Sequence, residues 1–233
     1  MVSAAFNLLS NVFPQSASQE PELGLFPNNG PKNGSPINRS EVETKLELRS
    51  HFRQLSRQAV AAAEGAFVAA AAAELPGLMA PPRWLGLYSP LGHEPDLRPL
   101  VERLPAHWRR HIALPAIRAD QLMYLPWQPG DPLAPDAVGI PAPLGEVGLE
   151  PAQLGLLLVP ALAMDGCGWR LGSGGGWYDR LRSRPGWRTV PALVVLPSIC
   201  VVPALPRDPW DVPFMGWLDE RGLHRANKRV ATS

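Results

Sequence analysis

The chain has 233 residues, 45% of them hydrophobic, and a formal net charge of +1 from 22 Lys and Arg against 21 Asp and Glu. Such a balance argues against a general nucleic-acid binder, and two cysteines without CxxC spacing, Cys167 and Cys200, are too few for a disulfide framework. No apolar run approaches the roughly 20 residues of a membrane helix, and the apolar stretch in residues 1–14 lacks a basic n-region and a cleavage signal. These features predict a soluble, cytoplasmic protein with no membrane or nucleic-acid partner, its cysteines serving as small buried hydrophobes in a reducing compartment.

Residues 1–39 are rich in Asn, Pro, Ser and Gly without a sustained period, a composition that predicts a disordered extension. Ser40 and Glu43 have capping-box spacing and open a helix whose apolar face is Leu48, Phe52, Leu55, Ala59, Ala62 and Ala66. Lys45, Arg49 and Arg53 recur every four residues and form a basic row along it. Pro76-Gly77 ends this helix or a second one after it. Strands are predicted at 84–88, 111–114 and 121–127, with a short helix at 96–104. The runs 154–159 and 190–196 are continuously apolar, as in strands covered on both faces of a parallel sheet. A glycine-rich loop and a short helix near 178–184 join them. This βαβ alternation predicts a three-layer α/β/α fold with a mostly parallel sheet. The 28 prolines restrict element length and blur the boundaries. One domain over residues 40–225 and a flexible tail at 226–233 complete the expected organisation.

The chemistry is concentrated between Val159 and Arg180. A buried strand ends at Pro160, and ligands of open α/β sheets bind beyond the carboxyl ends of such strands. Gly172, Gly174, Gly175 and Gly176 free backbone amides to turn toward an anion. A helix starting there would add its N–H groups and dipole. Arg170 offers a bidentate donor, and Asp179 a hard oxygen for a cation bridging phosphates. No Lys-Ser/Thr follows the glycines, so this is not a P-loop, and Trp177 occupies the last position of a dinucleotide GxGxxG. A glycine cluster alone also suits a surface turn; strand, Arg, glycines and Asp together favour phosphate binding.

The stretch Val159-Pro-Ala-Leu-Ala-Met-Asp165, continued by Gly168-Trp-Arg-Leu-Gly-Ser-Gly-Gly-Gly-Trp-Tyr-Asp-Arg180, resembles the signature of the 5-formyltetrahydrofolate cyclo-ligase (methenyltetrahydrofolate synthetase) family. Further pieces follow in family order: Lys45-x-x-x-Arg49, Tyr88 to Asp96 with Glu94, Gly139-Ile-Pro-Ala-Pro143, and Pro206-Arg-Asp-Pro-Trp-Asp211. The resemblance covers roughly residues 42–222. It implies an enzyme that uses ATP and Mg²⁺ to turn 5-formyltetrahydrofolate into 5,10-methenyltetrahydrofolate, acting as a monomer.

By the same resemblance, ATP is bound by Lys45, Arg49, Arg170, Leu171, Gly172, Ser173, Gly174, Gly175, Gly176, Trp177 and Tyr178. Folate meets Glu94, Ser173, Gly174, Gly175, Gly176 and Trp177, while Asp179 and Asp211 hold Mg²⁺. Arg170 and Asp179 carry the reaction. Ser173, Trp177, Ala142 and Ser198 depart from the usual family residues, and these departures fall on folate contacts more than on phosphate contacts. The basic cluster from His107 to His111 reads as a solvated helix end, or as an attraction site for an anionic folate tail. Two rival functions stand beside the enzyme. One is a non-catalytic folate- or nucleotide-binding relative; the other is a different phosphate-handling enzyme on the same scaffold.

Overall fold

The computed structural model describes residues 45–63, 65–78, 83–206 and 211–227. The Ser40–Glu43 capping box, the 1–39 extension and residues 228–233 of the tail lie outside the described residues. Ala226 and Asn227 donate backbone hydrogen bonds to Met215 and Gly166, so packed chain continues to Asn227.

Helix α1 (Lys45–Ala62) is followed by a separate helix α2 (Ala66–Glu74), so of the two alternatives Pro76-Gly77 ends a second helix. The break rotates the predicted apolar face: Phe52 and Ser56 are buried, whereas Ala62 and Ala66 are exposed. Leu75–Gly77 forms a tight 3₁₀ turn that ends α2. Helices α3 (Leu100–Arg103) and α4 (Ala106–Arg109) are single turns. The helix expected from Asp96 starts late, because the Asp96 carboxylate accepts the Arg98 N–H in a local turn and Pro99 follows. Helices α5 (Trp177–Ser183) and α6 (Pro185–Arg188) follow the glycine loop.

Strands β1 (Trp84–Gly86), β2 (Ile112–Arg118), β3 (Gln121–Pro126), β4 (Leu133–Pro135), β5 (Pro141–Pro143) and β6 (Leu154–Pro160) come first in the chain. They are followed by β7 (Ala163–Asp165), β8 (Arg170–Leu171), β9 (Ala192–Val195), β10 (Val201–Val202), β11 (Gly216–Asp219) and β12 (Gly222–Arg225). The central sheet has the order β12-β11-β9-β6-β1-β2-β3. Its inner pairs are parallel; the two edge pairs, β2 with β3 and β11 with β12, are antiparallel. Strand β1 is shorter than expected and β2 longer. Strand β2 runs through Pro115 because β1 has already ended opposite Ala113, so the missing proline N–H removes no bond to that neighbour.

Alternation along the central strands divides the core between the two sheet faces. Leu156 and Leu158 of β6 and Leu193 and Val195 of β9 pack with Phe67, Val68 and Ala71 of α2, Leu100 of α3 and Trp108 of α4. Their neighbours Leu157, Val159, Ala192 and Val194 pack with Phe52 of α1, Leu181 of α5 and Trp187 of α6. Each such fully buried side chain contributes about 1.5–3 kcal/mol. The arrangement is the three-layer α/β/α architecture with a mostly parallel sheet. Among the described residues, no single helix is long and apolar enough to cross a membrane.

Candidate functional site

From β1 the chain adds β2 and β3 on one side, then returns to place β6, β9 and β11 on the other. Strands β1 and β6 therefore flank a topological switch point, where the crossovers diverge and leave a crevice beyond the strand ends. A cavity of about 300 Å³ opens there. It is lined by Tyr88 and Ser89 after β1, Pro115 and Ile117 of β2, and Pro160 at the end of β6.

Every residue assigned from the sequence to the ATP, folate or metal site lines this one cavity: Lys45, Arg49, Glu94, Arg170, Leu171, Gly172, Ser173, Gly174, Gly175, Gly176, Trp177, Tyr178, Asp179 and Asp211. Of the basic row on α1, Lys45 and Arg49 reach the cavity, while Arg53 contributes instead to the field around His93. The His107–His111 cluster precedes β2 and none of it lines the cavity. Arg109 instead donates to the carbonyls of Glu102 and Leu104, closing α3 onto α4.

The glycine loop is anchored from both sides. The Arg49 Nε–H donates to the Gly172 carbonyl at 3.2 Å, joining α1 to the loop. Arg180 donates to the Gly175 carbonyl at 3.0 Å and lies 4.2 Å from the centre of the Trp177 ring. Gly176, at φ 66°, turns the chain into α5 through a conformation that side chains disfavour. Helix α5 is only two turns long, so its dipole is a minor contributor and the cations around the loop dominate the local field.

Those cations are partnered by the expected metal carboxylates. The Arg170 side chain, 6% exposed, donates to Asp179 at 2.9 Å and to the Pro160 carbonyl at 3.2 Å. It also packs 5.4 Å from the Tyr178 ring centre and 5.5 Å from that of Phe214. Lys45 lies 3.7 Å from Asp211. Among the described residues no group of three or more His, Cys, Asp or Glu gathers as a metal cage. Two carboxylates fit a magnesium ion whose remaining ligands are substrate phosphates and water.

The wall around Glu94 is built differently. Glu94 is 8% exposed, and its Oε2 accepts the Leu91 N–H at 2.9 Å. The Tyr88 hydroxyl donates to the Pro95 carbonyl and holds this loop closed. Burial pushes the Glu94 carboxyl up to about 7, against the opposing pull of the Leu91 N–H and of Arg170. Burial and the Glu94 charge likewise raise the Tyr178 hydroxyl, which stays protonated at neutral pH. His93, buried behind Glu94, points Nε2 at the Ser173 hydroxyl (3.5 Å) and at Glu94 Oε1 (3.8 Å). Burial, Arg53 and Arg57 lower its pKa and favour the neutral ring.

The departures from the family pattern divide in two. Ser173 and Trp177 line the cavity. Ala142 does not: it is buried against Ala116 and Leu125. Ser198 bonds Glu220 through both its hydroxyl and its N–H. Those two changes affect packing and a hairpin contact, so of the four departures only Ser173 and Trp177 reach the cavity. The sequence reading missed Ser89, Asp136, Ile117, Ile140 and Leu122 in the wall. Asp136 accepts the N–H groups of Ile117, Val138 and Ile140, closing the loop before β5. An Asp followed by small residues and Gly139 carries that turn chemistry in the sequence, but nothing local says that it faces a cavity.

Residues 41–216 match the model of the 5-formyltetrahydrofolate cyclo-ligase family. The chain is 35% identical over 130 residues to a 5-formyltetrahydrofolate cyclo-ligase of Escherichia coli K12, covering 52% of this chain and 69% of that protein. It is 29% identical over 176 residues to one of Mycolicibacterium smegmatis, covering 72% and 90%. The fold is that of a 5,10-methenyltetrahydrofolate synthetase structure from Aquifex aeolicus, with a TM-score of 0.61, 24% identity, and coverage of 81% of this chain and 96% of that one. A Mycoplasma pneumoniae synthetase structure aligns with a TM-score of 0.55 at 19% identity, covering 76% and 98%.

Proposed function

Because the chain belongs to the 5-formyltetrahydrofolate cyclo-ligase family of enzymes, we propose that it closes 5-formyltetrahydrofolate into 5,10-methenyltetrahydrofolate, consuming MgATP and releasing ADP and phosphate. The formyl oxygen on N5 is a poor leaving group, so the γ-phosphoryl group is transferred to it. N10 then attacks the activated carbon, and phosphate leaves as the ring closes. Such transfer needs positioning and charge neutralisation more than covalent work by the protein.

One observation carries this reading: a single cavity at the switch point holds both a cation-rich glycine loop and a buried carboxylate, Glu94. Lys45, Arg49 and Arg170 neutralise phosphate oxygens, and the loop from Gly172 to Gly176 approaches the polyphosphate without side chains in the way. Asp179 and Asp211 would hold Mg²⁺, which supplies charge stabilisation to the phosphates when bound. Each aspartate is paired with a basic side chain, so on binding MgATP the cations would turn to phosphate and the carboxylates to the metal. Glu94 accepts hydrogen bonds from the pterin, and Trp177 and Tyr178 wall its ring. We further assign residues 40–225 to the catalytic domain.

Mixing purified protein with 5-formyltetrahydrofolate and MgATP tests the proposal. The expected result is a near-ultraviolet methenyl absorbance that rises with time and requires all three components. Binding of both ligands without that absorbance would mark a non-catalytic relative. Stabilisation by sugar phosphates instead of the folate would mark a different enzyme.

A further inference from the structure

Arg182 lies one turn past Asp179 on α5, a spacing that puts both on one face of the helix. It is 4% exposed, yet no carboxylate contacts it among the described residues. Its Nε–H has no partner, and its other nitrogens donate to the Val190 carbonyl at 3.5 Å and the Pro213 carbonyl at 3.3 Å. A buried guanidinium with so incomplete a shell is costly to the fold, and burial and the neighbouring Arg170 lower its pKa to about 10.

What the guanidinium grips is the segment that brings Asp211 to the cavity. Pro213 and Phe214 follow Asp211 by two and three residues. The Phe214 ring lies 4.4 Å from Arg182 and 5.5 Å from Arg170, so two arginines share one ring. The Phe214 N–H donates to the Gly168 carbonyl at 2.9 Å. A Cβ on Gly168 would stand 2.4 Å from the Phe214 carbonyl, so only glycine lets the two backbones meet this closely. Helix α5, the β7–β8 turn and the 211–214 segment thus converge on one buried arginine and one ring.

We propose that Arg182 is a positioning residue: it ties the segment bearing Asp211 to the helix bearing Asp179 and thereby sets the separation of the two carboxylates for their divalent cation. This rests on the reading of Asp179 and Asp211 as the magnesium carboxylates. Residues that orient metal ligands typically account for about 10–100-fold in metal affinity.

The test is calorimetric binding of a non-hydrolysable ATP analogue, with and without Mg²⁺, to the full chain and to Arg182→Lys and Phe214→Leu. Lys keeps the charge and loses the fork; Leu keeps apolar volume and loses the ring. In the parent protein, Mg²⁺ tightens the analogue. In both variants the metal-free affinity stays at the parent level while the tightening by Mg²⁺ falls about tenfold. Full retention of the tightening in Arg182→Lys overturns the proposal, as does an equal loss with and without metal. If Arg182→Lys shows no cooperative thermal transition, Phe214→Leu decides by the same criteria. A parent protein that gains nothing from Mg²⁺ removes the metal reading of Asp179 and Asp211, and this proposal with it.

Discussion

The two walls of the cavity handle charge in opposite ways. On the glycine-loop side, charge is met by charge: the buried Arg170 with the partly exposed Asp179, and Lys45 with Asp211, both partly exposed. In the other wall, Glu94 is met by burial, and its carboxyl is held near neutrality by the loss of water. On the proposed function, the first wall would exchange partners with a polyphosphate and its metal. The second is shaped before any ligand comes, by the Leu91 N–H and by a loop that the Tyr88 hydroxyl fastens. Exchangeable pairs suit a reaction in which charge moves; a fixed carboxylate suits recognition of a ring that stays in place.

The largest expected effect is on the exchangeable wall. Asp179→Ala should lower kcat by about 100–1,000-fold, the range for removing one group that stabilises charge in a transition state. The fold should persist, because Asp179 is 32% exposed and Arg170 keeps the Pro160 carbonyl. Steady-state kinetics beside a thermal melt separate the two effects. A variant that cyclises at the parent rate would show that Asp179 serves only to hold Arg170.

Glu94→Gln probes the buried wall and should sharpen the contrast. Losing a charged acceptor for the pterin should raise KM for the folate by about 10–100-fold, the equivalent of one hydrogen bond to an ionised group. Stability should move the other way. The Glu94 carboxyl rises from its ordinary value of 4.5 to about 7 on folding, so between those values the folded state binds the extra proton. Stability therefore falls as pH rises through that window, and the full penalty is present above about 7. Gln never ionises, so the variant should match the parent near pH 4.5 and exceed it by on the order of 3 kcal/mol at pH 8. Thermal or urea melts at the two pH values check the sign; a variant less stable than the parent at pH 8 would mean that the Glu94 charge is well solvated.

How much of this was legible in the sequence follows from range. The strands at 154–160 and 192–195 were visible because burial on both faces leaves a continuous apolar run. The glycine loop and the charges around it announced themselves as one contiguous segment. Strand β1 was overread because only Trp84 to Gly86 pair as a strand: Leu87 adds one last bond to the Ala113 carbonyl and packs in the core, and Tyr88 turns into the cavity wall. The single-turn helices α3 and α4 are too short to show a period. Nothing local reveals that Lys45 meets Asp211, that Glu94 is buried, or that Arg182 supports a distant segment. Those facts depend on the sheet order, which brings together stretches far apart in the chain. The departures at Ala142 and Ser198 stood out only against the family pattern; in space neither lines the cavity.

The smallest effect should come from Trp177, which lines the cavity beside the exchangeable wall without belonging to either pairing scheme. One face of its ring is taken by the Arg180 guanidinium at 4.2 Å, and Arg180 is itself held by the Gly175 carbonyl. A ligand can therefore use only the remaining face or the edge. Trp177→Phe keeps a ring and weakens the contact with Arg180, which at such a site is worth about 0.5–1 kcal/mol. KM for the folate should consequently change by less than about fivefold, with kcat unaltered, since no charge that develops in the reaction is touched. A fall in kcat of tenfold or more would place the indole among the groups that act on the reacting atoms, and the division of the cavity into an exchanging wall and a recognising wall would then be drawn in the wrong place.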